Sequence, residues 1–254
     1  MLLAMDVGNT TIEVGLFRAE ELLRSWKIKT DRGKTSDEYG VLILNLFQAS
    51  GFRPEKIEAA IISSVVPPLT PLFQDIGRDL FNVEALVVGP GLRTGMPILY
   101  ENPQEVGADR VVAAVAAFEK YGGPTIVVDF GTATTFDAVS EKGEYLGGAI
   151  APGIQISAEA LSMKTARLPR IEIRKPVKAV GRTTVSSMQA GLFFGYIGLV
   201  TNIISEIVKE IGKGARVVAT GGFGERISSE IPAITAYEPS LVLEGLRIIY
   251  DRNR

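Results

Sequence analysis

The apolar positions follow two rhythms. Residues 2–6, 11–17 and 22–30 are short stretches that alternate or run apolar, which predicts three strands in a meander with Ala19, Glu20 and Glu21 at the second turn. The spacing then changes to three and four. Tyr39, Ile43, Leu46 and Phe47 fall on one face of a predicted helix over 36–50, and Gly51 stops it. Residues 59–65 form a continuous apolar run with β-branched members, as a strand buried on both faces requires. Pro67 and Pro68 end it; a helix over 69–81 and a strand over 85–88 come next. The order is β-β-β-α-β-α-β.

Residues 89–104 are rich in Gly and Pro and are expected to be a long, shaped loop. Asp109 then stands at the N-terminus of a predicted helix over 110–120, closed by Gly122 and Gly123. Beyond that helix the chain repeats its own start. TIVVDFGTATTFDAV at 125–139 has the same strand, Asp, any residue, Gly, small polar residues, strand pattern as AMDVGNTTIEVGLF at 4–17, aligning Asp129 with Asp6, Gly131 with Gly8 and Thr134 with Thr11. A third strand over 145–150 completes a second β-β-β set. Helices over 154–161 and Thr184–Ile211, a strand over Arg216–Thr220 and a last helix over 241–250 complete the pattern. The expected fold class is α/β, a duplicated pair of mixed domains with a central cleft, divided as 1–114 and 115–254, the last helix being able to pack back on the first domain.

Composition narrows the chemistry. The chain has 254 residues, 46% hydrophobic and 22% charged, a globular balance. Net charge is −2 with no block of like charge, so no nucleic-acid partner is expected. The apolar start is short, lacks a basic flank and is interrupted by Asp6, and 192–208 contains Gly, Thr, Asn, Ser and Glu. These features predict a cytoplasmic protein with no membrane partner and a buried helix over 192–208. There is no Cys, which removes disulfides, thiolate zinc sites and a thiol nucleophile. There is also no His, which removes Ser/His/Asp triads and every imidazole acid, base or metal ligand. Carboxylates and bound ions remain, and they suit phosphoryl transfer, which needs positioning and charge neutralisation rather than covalent work.

The string DVGNT puts a carboxylate at a strand end, lets Gly8 bring backbone close to a ligand, and offers Asn9, Thr10 and Thr11 as donors. Such a turn can cradle phosphate oxygens while the carboxylate holds hydrated Mg²⁺. A single copy reads more readily as an ordinary hairpin. The second copy, DFGTATT, tips the balance: two aspartates facing one cleft need cations between them, as a metal-bound polyphosphate supplies. ATGGFGE at 219–225, between a strand and a helix, could lie flat against a nucleoside, though GGxG alone is not diagnostic; no P-loop is present. In YENPQEVGADR, Gly107 permits close approach, Asp109 can accept and orient a hydroxyl proton, and Arg110 offers a fork for a carboxylate. Asp109 is also an ordinary N-cap, and the helix dipole is expected to keep it ionised.

Three small-residue turns so placed resemble the phosphate and adenosine elements of the acetate and sugar kinase, Hsp70 and actin superfamily, whose duplicated actin-like (ribonuclease H-like) domains the chain is then expected to have. More specifically, DVGNTTIEVGLF at 6–17, SSVVP at 63–67, YENP at 100–103, GADR at 107–110, DFGTATT at 129–135, GGAIAPG at 147–153 and GRTTVSSMQAG at 181–191 are similar to the type III pantothenate kinases. This resemblance implies ATP-dependent phosphorylation of pantothenate to 4′-phosphopantothenate, the first step of coenzyme A biosynthesis. Asp6, Val7, Gly8, Asn9, Thr10, Thr11, Ile12, Glu13 and Thr132 would hold ATP, with Asp6 acting on Mg²⁺ through water. Asp109 would be the general base. Tyr100, Gly107, Ala108, Asp109, Arg110 and Thr184 would contact pantothenate. Asp129 would hold a monovalent cation, K⁺ or NH₄⁺, and the protein would be a homodimer, with 192–208 either at its interface or in the core. Two other readings stay open on the residues: a phosphotransferase or phosphatase acting on another small alcohol or acid, and a non-catalytic binding or regulatory protein on the same fold.

Overall fold

The computed structural model describes residues 1–254 and divides into two units, Met1–Glu119 with Ser240–Arg254, and Lys120–Pro239. The first holds β1 (Leu2–Val7), β2 (Thr11–Arg18), β3 (Glu21–Lys29), α1 (Ser36–Ala49), β4 (Ala59–Ser64), α2 (Thr70–Phe81) and β5 (Ala85–Val87). α3 (Ala108–Tyr121) and α7 (Leu241–Asp251) complete it. Its sheet runs β3-β2-β1-β4-β5, antiparallel through the meander and parallel from β1 outward.

Alternation along β1 sends Leu3, Met5 and Val7 to one face, where they pack with Tyr39, Ile43 and Phe47 of α1 and Phe73 and Ile76 of α2. α1 begins at a capping box: the Thr35 hydroxyl accepts from the Glu38 amide, and the Glu38 carboxylate accepts from the Thr35 amide at 2.9 Å. α7 packs against β1, β2 and β4, burying Leu241, Leu243, Leu246 and Ile249 at the spacing of an amphipathic helix.

The second unit holds β6 (Thr125–Phe130), β7 (Ala133–Val139), β8 (Tyr145–Pro152), α4 (Ile154–Lys164), α5 (Thr184–Ile211), β9 (Arg216–Thr220), α6 (Gly224–Ser228) and β10 (Ala236–Tyr237). Its strand order, β10-β9-β6-β7-β8, is the first sheet's order with equivalent strands in equivalent places. Ile126, Val128, Phe130 and Phe136 pack under Ile154 and Ala158 of α4 and Phe193, Tyr196, Val200 and Ile204 of α5.

Three expectations change. α5 is long and apolar enough to cross a membrane by length and composition, yet 192–208 is buried on one face only: Thr201, Asn202, Ser205 and Glu206 of the opposite face are exposed. The helix presents a stripe to the sheet rather than sinking into the core. The repeat also aligns differently beyond its glycine. Val7 pairs with Ile12 across four residues, 8–11, whereas Phe130 pairs with Thr134 across three, 131–133. Thr134 is therefore the counterpart of Ile12, not Thr11, and Thr135 that of Glu13. The third change concerns Asp109. α3 starts one residue before it, with the Gly107 carbonyl accepting from the amides of Arg110 and Val111, so Asp109 lies in the first turn rather than at the N-cap.

Candidate active site

Strand register assembles a polar row at one end of the first sheet. Asp6 of β1 lies opposite Glu13 of β2, Glu13 opposite Lys27 of β3, and Ser63 of β4 flanks Asp6 on the other side. Cross-strand partners share a face, with Cβ atoms about 4.5–5.5 Å apart in antiparallel pairs. Lys27 Nζ is 3.9 Å from Glu13 Oε1. Burial pushes the Glu13 carboxyl above its ordinary range, and the lysine charge opposes that only in part.

The turn after β1 is held from outside. The Gly8 amide donates to the Thr11 carbonyl at 3.1 Å, the Thr30 hydroxyl donates to the Gly8 carbonyl at 2.7 Å, and the Thr30 amide donates to the Thr10 carbonyl at 3.0 Å. Arg32 Nη2 donates to Asn9 Oδ1 at 2.8 Å. The tip of the turn, Asn9 to Thr11, is exposed. A hairpin tip locked at its base with polar atoms at its crest suits a group rich in acceptor oxygens.

The same sheet end receives the 107–110 segment. The Val65 amide, just past β4, donates to the Val7 carbonyl at 3.1 Å, and the Val65 side chain lies 3.4 Å from where a Cβ on Gly107 would stand. Asp109, two residues on, accepts the Arg110 amide at 2.8 Å. Its carboxyl is pushed up by burial, against the pull of that amide and then of the Arg110 charge. Desolvation thus outweighs the helix-terminal effect expected from sequence, and the carboxylate is a stronger base than an exposed aspartate.

In the second unit, Asp129 occupies the place of Asp6. Gly131 donates its amide to the Ala133 carbonyl at 3.1 Å, closing the shorter turn, and the Gly153 amide donates to the Thr132 carbonyl at 3.2 Å. The glycine-rich 219–225 element packs onto this turn: the Phe223 amide donates to the Phe130 carbonyl, and a Cβ on Gly221, at φ +87°, would overlap Asp129 Oδ1 and come within 2.7 Å of the Phe130 backbone. Tyr196 of α5 shares a short hydrogen bond with the Thr134 hydroxyl. Its own pKa is pushed up to about 12, chiefly by burial and further by the Asp129 charge, with the bonds from Thr134 and the Ile154 backbone opposing.

The structure therefore brings Asp6, Val7, Gly8 to Thr11, Ile12, Glu13, Gly107, Ala108, Asp109 and Arg110 to one sheet end of the first unit. Asp129 and Thr132 stand together in the second. Tyr100 lies half-buried in the loop before α3, and Thr184 is exposed at the first position of α5, behind the Thr183 capping box. Sequence reasoning missed Lys27, Thr30, Arg32, Ser63 and Tyr196. Antiparallel register would have placed Lys27 across from Glu13, and a tyrosine on the inward stripe of an apolar helix calls for a buried partner.

Comparison with known proteins gives one answer. Residues 2–206 match the family described as Type III pantothenate kinase. A Type III pantothenate kinase of Geobacter sulfurreducens is 54% identical over 254 residues, covering 100% of both chains. Among solved structures, a conserved Baf family protein of Campylobacter jejuni, described as a transcriptional activator, superposes with TM-score 0.61 at 18% identity over 99% of this chain and 98% of its own. A ROK hexokinase of Thermus thermophilus does so with TM-score 0.53 at 13% identity over 100% and 99%. At these identities the structural likenesses speak to fold alone, and the fold is the duplicated actin-like α/β fold.

Proposed function

The chain belongs to the type III pantothenate kinases and phosphorylates pantothenate with ATP, opening coenzyme A biosynthesis, and we propose that the sheet end carrying Asp6, Glu13 and Asp109 is where it does so. The observation that supports this reading most is the meeting, within one unit, of a turn with an exposed polar crest and a half-buried carboxylate of raised pKa. A kinase of this family uses ATP with a divalent metal. In our reading the metal is Mg²⁺, which is content with one or two carboxylates plus substrate phosphates. Asp6, acting through water, and Glu13 fit that donor set, being paired in register on one face. When bound, the ion neutralises charge on the transferring phosphoryl group.

The residues do the rest. Residues 6–13 hold the triphosphate with Thr132 assisting, while Tyr100, Gly107, Ala108, Arg110 and Thr184 hold pantothenate, the Arg110 fork taking its carboxylate. Asp109 accepts the proton of the primary hydroxyl as that oxygen bonds to the γ-phosphorus and the bridging oxygen leaves with ADP; the proton then passes to water. Asp129, a carboxylate with nearby backbone and no Cβ on Gly221, suits a monovalent cation, K⁺ or NH₄⁺.

We read the protein as a cytoplasmic homodimer. The outward side of α5 supports a second copy: Phe194 is 40% exposed, and Gly191, Gly195 and Gly198 have open space beside them. Light scattering should give twice the chain mass, and Phe194→Glu should halve it. Purified protein with ATP, Mg²⁺, K⁺ and pantothenate should yield phosphopantothenate and ADP. Arg110→Ala should raise KM for pantothenate and not for ATP; a rise in both, or neither, would remove the assignment of Arg110.

A further inference from the structure

The loop from Gly89 to Asn102 carries Gly89, Gly91 and Gly95 and Pro90 and Pro97, and it holds Tyr100 near its end, before the turn that enters α3. Such a segment has many accessible conformations, and holding an acceptor substrate demands one of them. Two residues at the end of α7 restrain it. Arg252 Nη1 donates a short hydrogen bond to the Thr94 carbonyl, while Nη2 donates to Glu119 Oε2 at 2.7 Å. Asn253 Nδ2 donates to the Arg93 carbonyl at 2.8 Å and its Oδ1 accepts the Arg93 amide at 3.1 Å, so one side chain pairs with both backbone groups of one residue.

The fit is close. Gly95 has φ +72°, and a Cβ there would stand 2.6 Å from Arg252 Nη1. Glu119 lies in the last turn of α3, the helix whose first turn holds Asp109 and Arg110. The guanidinium therefore ties the loop to the far end of the helix that carries the proposed base. A planar fork reaching two acceptors at once is a task for arginine; the point charge of lysine reaches one well.

We propose that Arg252 and Asn253 are positioning residues for the acceptor: they latch the 89–102 loop against α3 so that Tyr100 and the 107–110 turn stand ready for pantothenate. This rests on the reading that those residues hold pantothenate. Both latch residues act through the loop backbone, and the effect is specific to the acceptor side.

The test uses the full chain, with hydrogen exchange of 89–102 measured beside steady-state kinetics for each substrate. In Arg252→Ala, exchange in the loop should rise and KM for pantothenate should increase about tenfold, with KM for ATP within about twofold of the parent. Gly95→Ala should imitate it, Arg252→Lys should recover part of the loss, and Asn253→Ala should give a smaller shift in the same direction. Leu246→Ala, a buried change in α7 that removes none of the latch hydrogen bonds, controls for general destabilisation: it should lower Tm while keeping the ratio of the two KM values. Unchanged loop exchange in Arg252→Ala would overturn the latch. A loosened loop with both KM values moving together, as a general loss of folded protein would cause, would overturn its acceptor role. Arg110→Ala reads the underlying assignment separately, because it should raise KM for pantothenate with loop exchange unchanged.

Discussion

The turn after β1 and the turn after β6 are built on one backbone plan, yet each surrounds its aspartate differently. Asp6 has a second carboxylate, Glu13, as its cross-strand neighbour and Lys27 beyond it, and its turn is long enough to present an exposed crest of Asn9, Thr10 and Thr11. Asp129 has Thr135 in the place of Glu13, a turn one residue shorter, a close cover from Gly221, and Tyr196 near enough to feel its charge. One turn raises a crest of three exposed residues beside a second carboxylate; the other is shorter and is covered by the 219–225 element. Duplication supplies two equivalent carboxylates, and one inserted turn residue with one substitution gives them different surroundings; in our reading the first serves a divalent metal with phosphates and the second a monovalent cation.

Substitutions can break this contrast in graded steps. Gly221→Ala should have the largest effect, because its Cβ meets backbone and its φ is left-handed; a loss of about 3 kcal/mol or more in chemical unfolding is expected. Gly8→Ala, whose Cβ would stand 2.8 Å from the Thr11 carbonyl with no left-handed φ, should cost less and act mainly on KM for ATP. Equal losses at the two glycines would undo the distinction between a packed turn and an open one. Tyr196→Phe leaves the buried Thr134 hydroxyl without this partner and should cost about 1–3 kcal/mol, with KM for ATP unchanged.

Glu13→Gln should be smaller still in stability and of opposite sign. The folded pKa of Glu13 is raised, so the stability linked to it is full below the unfolded pKa and is lost as pH rises through the folded one. At neutral pH the amide escapes that loss, and Tm should rise slightly while the metal concentration needed for half-maximal rate increases. A fall in Tm at pH 7 with no fall at pH 4 would contradict the raised pKa. Lys27→Met should be the mildest, since a half-exposed pair at 3.9 Å contributes about 0–1 kcal/mol.

Much of this was visible in the chain. The meander, the repeat and the aspartate at each strand end come from period-two alternation interrupted by an acidic residue before glycine, and both sheets bear that out. The features that stayed hidden depend on counting or on tertiary packing. A single residue of difference between the turns moves Thr134 from the crest to the buried side, and no local preference marks it. Asp109 looked like a cap because aspartate often is one; the helix instead starts at Ala108, and the burial that raises its pKa comes from its surroundings in the fold. Residues 192–208 looked buried because their mean composition is apolar, although the spacing of Phe193, Tyr196, Val200 and Ile204 already implied a single stripe. Arg252 and Asn253 lie about 160 positions from the loop they hold, beyond any reading of neighbouring residues.

The central claim is that a half-buried Asp109 takes the proton from pantothenate, and kcat/KM for pantothenate against pH, for the parent and for Asp109→Asn, tests it most directly. The parent should lose activity as pH falls through an apparent pKa above the usual aspartate range, and the variant should fall by about 100-fold or more with that limb gone. By the same linkage as at Glu13, the variant should be no less stable than the parent at pH 7. An Asp109→Asn protein that keeps near-parent turnover and the same acid limb would contradict the account.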